Sequence, residues 1–139
     1  CIRDSQNIEM QRFIERHGLH DFKMNPHFPV ISLQIIRGAV AAEMDGYLED
    51  YIDKVLVHMW EEPKKMDDPE VIKSAFEESG LDAEKLISQM QDADVKAKLI
   101  ANTEAAAERG VFGIPTFFVG EEMYFGKDNL WQVEEKLSE

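Results

Sequence analysis

The chain has 139 residues, 44% of them hydrophobic, with 28 acidic against 15 basic side chains and a net charge of −13. That length suffices for one domain with a sizeable core. No apolar run approaches the ~20 residues of a membrane span, and the acidic balance argues against nucleic acid and anionic membranes as partners. Cys1 is the only cysteine, so a disulfide framework, a Cys-x-x-Cys pair and zinc-type cysteine spacing are all excluded, and a cytoplasmic protein is expected.

In chain order, a polar helix is expected from about residue 4 to 17, ended by Gly18. Asp21 to Pro29 forms a connector stiffened by two prolines, because residues before proline are pushed extended. Ser32 suits the N-cap of a helix carrying Leu33, Ile36, Val40 and Met44, punctuated by Gly46. Leu48, Tyr51, Ile52, Val55, Leu56 and Met59 then recur at the spacing of an amphipathic helix, with His58 one position off the stripe and expected at the surface or half-buried. Asp68-Pro69 reads as an N-cap and first-turn proline for a helix through Phe76 that ends near Gly80. Asp82 caps a short helix through Leu86 and Met90. A longer one covers about 92 to 109, with Val95, Leu99 and Ala106 toward the core.

The segment Gly110-Val111-Phe112-Gly113-Ile114-Pro115-Thr116-Phe117-Phe118-Val119 carries the most information. Gly110 can take the left-handed conformation that stops a helix, and Gly113 sits where a Cβ would clash. Pro115 has no N–H and can hold a cis bond. Such a turn presents the main chain of Ile114 outward, where an extended peptide or a cysteine-containing tripeptide can be received as an added strand. Thr116–Val119 and Met123–Phe125 should pair across Gly120-Glu121, and Gly126-Lys127-Asp128-Asn129-Leu130 opens a terminal helix. A lone hairpin is marginal in water, and nothing before Ser5 supplies the β-α-β unit that would complete a parallel sheet.

Six segments recur together in this order: Asn25-Pro26-His27-Phe28-Pro29, Met59-Trp60, Asp68-Pro69, Asn102-Thr103-Glu104, Gly110 to Pro115, and Phe125-Gly126-Lys127-Asp128. Their order and spacing resemble 2-hydroxychromene-2-carboxylate isomerases and the related kappa-class glutathione transferases, within the DsbA-like thioredoxin superfamily. The resemblance implies an α/β thioredoxin-like fold with a large all-α insertion at residues 4–109. Residues 110–139 would be the C-terminal part of the thioredoxin-like domain.

It also implies a glutathione-dependent isomerase of an aromatic hydroxy-carboxylate, expected to be cytoplasmic and homodimeric. Glutathione would lie against Ile114, Pro115, Lys127 and Asp128. Asp128 would accept from the ligand's ammonium, and Lys127 would add local positive charge. His27 and Trp60 would line the substrate pocket, whereas Ile31 stands where many relatives carry asparagine.

The thiol-activating serine of the family lies after its first strand, which places it upstream of Cys1. The chain by itself is therefore expected to be an incomplete, inactive form. Two other functions remain open: a DsbA-like thiol–disulfide oxidoreductase, which needs an upstream Cys-x-x-Cys, and a non-catalytic truncated binding or dimerisation module. His17 and His20 straddle Gly18 without a third ligand, and no metal site is expected.

Overall fold

The structure, a computed structural model, describes residues 2–138; Cys1, whose thiol the sequence suggests is incidental, lies outside them. The chain divides into two compact units, Cys1–Ala97 and Lys98–Glu139. The division falls within a helix, earlier than the 109/110 boundary expected from the motifs.

The first unit contains α1 (Ile2–His17), α2 (Leu33–Asp45), α3 (Leu48–Trp60), α4 (Pro69–Glu78), α5 (Ala83–Gln91) and the start of α6 (Ala93–Glu108). Its punctuation is local. Gly46 at φ 83° ends α2, with Tyr47 N–H donating back to the Ala42 carbonyl, the six-to-one bond of a Schellman cap. Asp68 and Asp82 cap α4 and α5 by accepting from the Glu70 and Lys85 N–H groups. Ser32 makes no side-chain cap bond.

The core lies between α2, α3, α4 and α5 and contains Tyr51, Phe76, Met66, Leu86 and Ile72. Helix α2 enters it through Gly38, Val40, Ala41 and Ala42, while Leu33, Ile36 and Met44 stay exposed. Small residues allow close approach: a Cβ on Gly38 would sit 2.2 Å from the Tyr51 hydroxyl. That hydroxyl donates to the Ile35 carbonyl at 2.7 Å.

His58 is more deeply buried than the surface or half-buried position expected for it. It is 4% exposed, because the 3.6-residue repeat brings it round with Tyr51 and Val55 toward α4. Val95 is buried as expected, but Leu99 and Ala106 are only half-buried.

The second unit holds the rest of α6, β1 (Thr116–Val119), β2 (Glu122–Phe125), a 3-10 turn at Lys127–Asn129 and α7 (Leu130–Leu137). The strands pair antiparallel with Thr116 opposite Phe125 and Val119 opposite Glu122. Gly120 at φ 61° starts the two-residue loop, and Glu121 keeps a negative φ, the pattern of a type II′ turn. The terminal helix starts three residues later than Lys127, since residues 127–129 wind as 3-10. No helix among the described residues is long and apolar enough to cross a membrane.

Candidate functional site

Helix α6 ends where the sequence indicates. Gly110 has φ 89°, and the Gly110 and Val111 N–H groups donate to Ala107 and Ala106 at 2.9 and 3.1 Å. The chain then turns tightly. Phe112 packs on Phe125 with ring centroids 4.7 Å apart, and a Cβ on Gly113 would lie 2.7 Å from that same Phe125 ring. Gly113 is therefore required by a packed aromatic neighbour, with no positive φ involved. The Ile114–Pro115 bond is cis, as is Phe28–Pro29.

Two bonds hold the turn in place. The Thr116 hydroxyl donates to the Gly113 carbonyl at 2.6 Å. The Gly126 N–H donates to the Pro115 carbonyl at 2.9 Å. Between these anchors Ile114 is 89% exposed, and neither its N–H nor its C=O has a hydrogen-bond partner among the described residues. One free donor and one free acceptor on a single braced residue form a short template for an extended ligand.

Lys127 and Asp128 follow directly from the Gly126 that braces Pro115. They meet each other, Lys127 Nζ to Asp128 Oδ1 at 2.5 Å, with Asp128 largely exposed. The carboxylate expected to accept an ammonium thus already has one, and a ligand ammonium would compete with Lys127 for it. Asn129 donates to the Phe125 carbonyl at 2.6 Å, which fixes the start of the 3-10 turn.

A cation the sequence reading did not single out is Arg109. Its guanidinium lies 3.4 Å from the centroid of the Phe118 ring, a cation–π contact that orients its five donors. Nine residues and a turn separate the pair, so no local periodicity could have revealed it.

His27 and Trp60 belong to the helical unit. His27 is exposed, and its N–H donates to Asn25 Oδ1 at 2.9 Å. Trp60 closes α3 and is half-buried, with Phe22 stacked on it at 5.6 Å and Phe28 tilted against it at 6.3 Å. The organiser of this region is Asn25, only 2% exposed. Its amide donates to the Met59 and Lys64 carbonyls at 3.1 and 3.0 Å, satisfying two carbonyls beyond α3's regular bonding. An asparagine before proline signals a side-chain turn, but not this long-range anchoring.

His58 Nε2 lies 2.7 Å from Ser79 Oγ, which invites a nucleophilic reading. The buried Nδ1 has no partner, so the orienting acid that such a pair needs is missing. Burial first, then the Lys64 charge, hold the imidazole below its ordinary pKa; the Glu78 and Glu62 carboxylates and the Ala75 carbonyl oppose this more weakly. No cluster of three metal-ligating side chains lies among the described residues.

A family model described as a DSBA-like thioredoxin domain matches residues 5–138. The chain belongs to the DSBA-like thioredoxin family. Over 35 residues, 25% of this chain and 17% of the relative, it is 51% identical to a 2-hydroxychromene-2-carboxylate isomerase of Pseudomonas putida. It is 26% identical over 138 residues to human glutathione S-transferase kappa 1, covering 86% of this chain and 61% of that protein. The solved structure of a selenomethionine 2-hydroxychromene-2-carboxylate isomerase superposes with a TM-score of 0.82 at 25% identity, over 97% of this chain and 65% of that one. The chain thus spans less than two thirds of the length of these relatives. The fold expected from the motifs, DsbA-like and thioredoxin-related, is the fold found.

Proposed function

We propose that this chain carries the thiol-peptide-binding part of a glutathione-dependent isomerase acting on a small aromatic hydroxy-carboxylate, in a cytoplasmic homodimer. The supporting observation is Ile114: an exposed residue with a free N–H and a free C=O, braced on both sides by main-chain and hydroxyl bonds. The similarity to the Pseudomonas isomerase and to the kappa transferase supports the choice of ligand and reaction. Glutathione's cysteinyl unit pairs with Ile114 as a one-residue added strand, packing beside Pro115. Its γ-glutamyl ammonium competes with Lys127 for Asp128, and Lys127 adds positive charge near the ligand's carboxylate.

The isomerisation runs by reversible addition of the glutathione thiolate to the substrate, rotation about the bond made single, and expulsion of the thiolate. What these residues contribute is orientation of the thiol. The Thr116 hydroxyl is committed to the Gly113 carbonyl, so the thiolate is stabilised from elsewhere, in keeping with the serine the resemblance implies. His27 remains a candidate for the substrate side, whereas the carboxylates of Asp21 and Glu61 beside Trp60 make that ring a poorer match for an anionic substrate.

Isothermal titration with glutathione tests this reading. Binding in the millimolar range or tighter is expected, abolished in Ile114→Pro, which has no N–H to donate. It should weaken by about tenfold or more in Asp128→Asn, since a hydrogen bond to a charged group contributes about 1.5–3 kcal/mol. A flat titration at millimolar glutathione overturns it. A second reading, thiol–disulfide exchange on unfolded chains, uses the same Ile114 edge and is favoured by the DSBA-like match. It predicts that an extended cysteine peptide binds in preference to glutathione.

A further inference from the structure

A pocket of about 310 Å³ opens in the helical unit beside Trp60, apart from anything the Ile114 turn requires. It falls at the small end of the range for ligand sites. Leu19, Phe22, Leu56 and Trp60 supply its apolar walls, and Asp21 and Glu61 also line it. Leu19 and Leu56 are both about half exposed, at 47% each, so the walls present apolar surface to water.

The walls are tied together. Phe22 stacks on Trp60 with planes 23° apart, Lys23 N–H donates to the Trp60 carbonyl at 2.5 Å, and Lys23 Nζ donates to the Glu61 carbonyl at 2.8 Å.

Every fixed charge lining the pocket is negative. Asp21 and Glu61 are in no ion pair among the described residues. The C-terminal ends of two helices reach it as well, α1 through Gly18 and Leu19 and α3 through Trp60 and Glu61, and helix C-termini favour cations. The Lys23 ammonium, held on the Glu61 carbonyl at 2.8 Å, keeps its charge and offsets one of the two carboxylates, so the pocket's edge stays net negative by one. Arg16 and His17 lie in the last turn of α1 but do not line the pocket. An aromatic wall with carboxylates at its edge is the chemistry that holds organic ammonium ions, and the chain's net charge of −13 raises the local concentration of cations.

We infer that this pocket binds a small organic cation with an aromatic or branched apolar body. The body lies against Trp60, Phe22, Leu19 and Leu56, and the ammonium faces Asp21 and Glu61. An aromatic carboxylate fits the same walls but meets like charge. The inference does not depend on glutathione binding at Ile114, which lies in the other unit.

The test is a titration of the 139-residue chain with benzyltrimethylammonium at constant ionic strength, read by the fluorescence of Trp60 in a Trp131→Phe background. Benzyl alcohol and phenylacetate serve as neutral and anionic comparisons. Saturable binding of the cation, at least fivefold tighter than benzyl alcohol and with phenylacetate weaker still, is expected. The double substitution Asp21→Asn, Glu61→Gln should remove that fivefold preference and leave the unfolding midpoint nearly unchanged, since both side chains are exposed. Phenylacetate binding as tightly as the cation overturns the inference. So does a preference that survives the double substitution, or a cation titration without saturation.

Discussion

His58 shows how one side chain's setting determines a property of the fold. With Nε2 against the Ser79 hydroxyl and the ring buried, the neutral imidazole is the form this site accommodates. Protonation would bury a charge beside Lys64. The folded pKa lies below the ordinary 6.5, so the unfolded chain binds the extra proton first. Stability from His58 is therefore complete above about pH 6.5 and is lost as pH falls below it. Glu78, held low chiefly by its bond to Lys64, and Asp45, held low chiefly by its bond to Lys85, lose their contributions only in the lower carboxylate window. Urea unfolding from pH 8 to 5 should show a midpoint that declines below about 6.5 in the parent and stays flat over that range in His58→Gln. An equal decline in the variant would assign the effect to another group. Asn25 teaches the same lesson about burial: its residue type marks a turn, and only packing makes it the anchor of the Trp60 region.

At the scale of the element, helix limits were legible because they depend on neighbours in sequence. Gly18, Gly46, Gly80 and Gly110 all sit at positive φ beyond helix ends, and Asp68 and Asp82 cap as their positions indicate. The buried face of α2 was legible only in part. Of the apolar residues Leu33, Ile36, Val40 and Met44, only Val40 is buried, and α2 also packs through Ile35, Gly38, Ala41 and Ala42 so that its backbone approaches α3 and α5. Gly38→Ala decides whether that closeness matters. An added methyl gains at most about 1 kcal/mol of helix propensity, but overpacking costs about 1–3 kcal/mol. Displacing the Tyr51 hydroxyl from Ile35 costs about 1 kcal/mol more. A net loss of about 1–3 kcal/mol is expected from denaturant unfolding, and a stabilised variant would mean that Tyr51 and Met90 move aside freely.

Taken as a whole, the two units differ in what holds them. All of the fully buried residues among those described lie in the first, from Asn25 to Val95, and none in residues 98–138. The second unit's sheet has two strands and thus an unpaired edge on each, beside the exposed Phe112, Ile114, Trp131 and Leu137. Few buried contacts mean a low opening free energy. Hydrogen–deuterium exchange should find amides of β1 and β2 exchanging at least about 100-fold faster than those of α2 and α5, equivalent to about 2.7 kcal/mol. Equal protection would mean that the sheet is covered in solution. A rise in its protection with protein concentration would identify a second copy as the cover, as the proposed homodimer requires.

The sequence alone determined the helix boundaries, the hairpin and its loop, the turn around Pro115 and the family, because each is encoded in residues close together along the chain. Only the tertiary structure revealed that Arg109 lies over Phe118 and that His58 and Asn25 are buried. It alone gathered Asp21, Glu61 and the aromatic rings around one pocket. Those outcomes turn on which surfaces exclude water together and which charges are left without partners. Both are properties of chain segments brought together from afar, and no local pattern carries them.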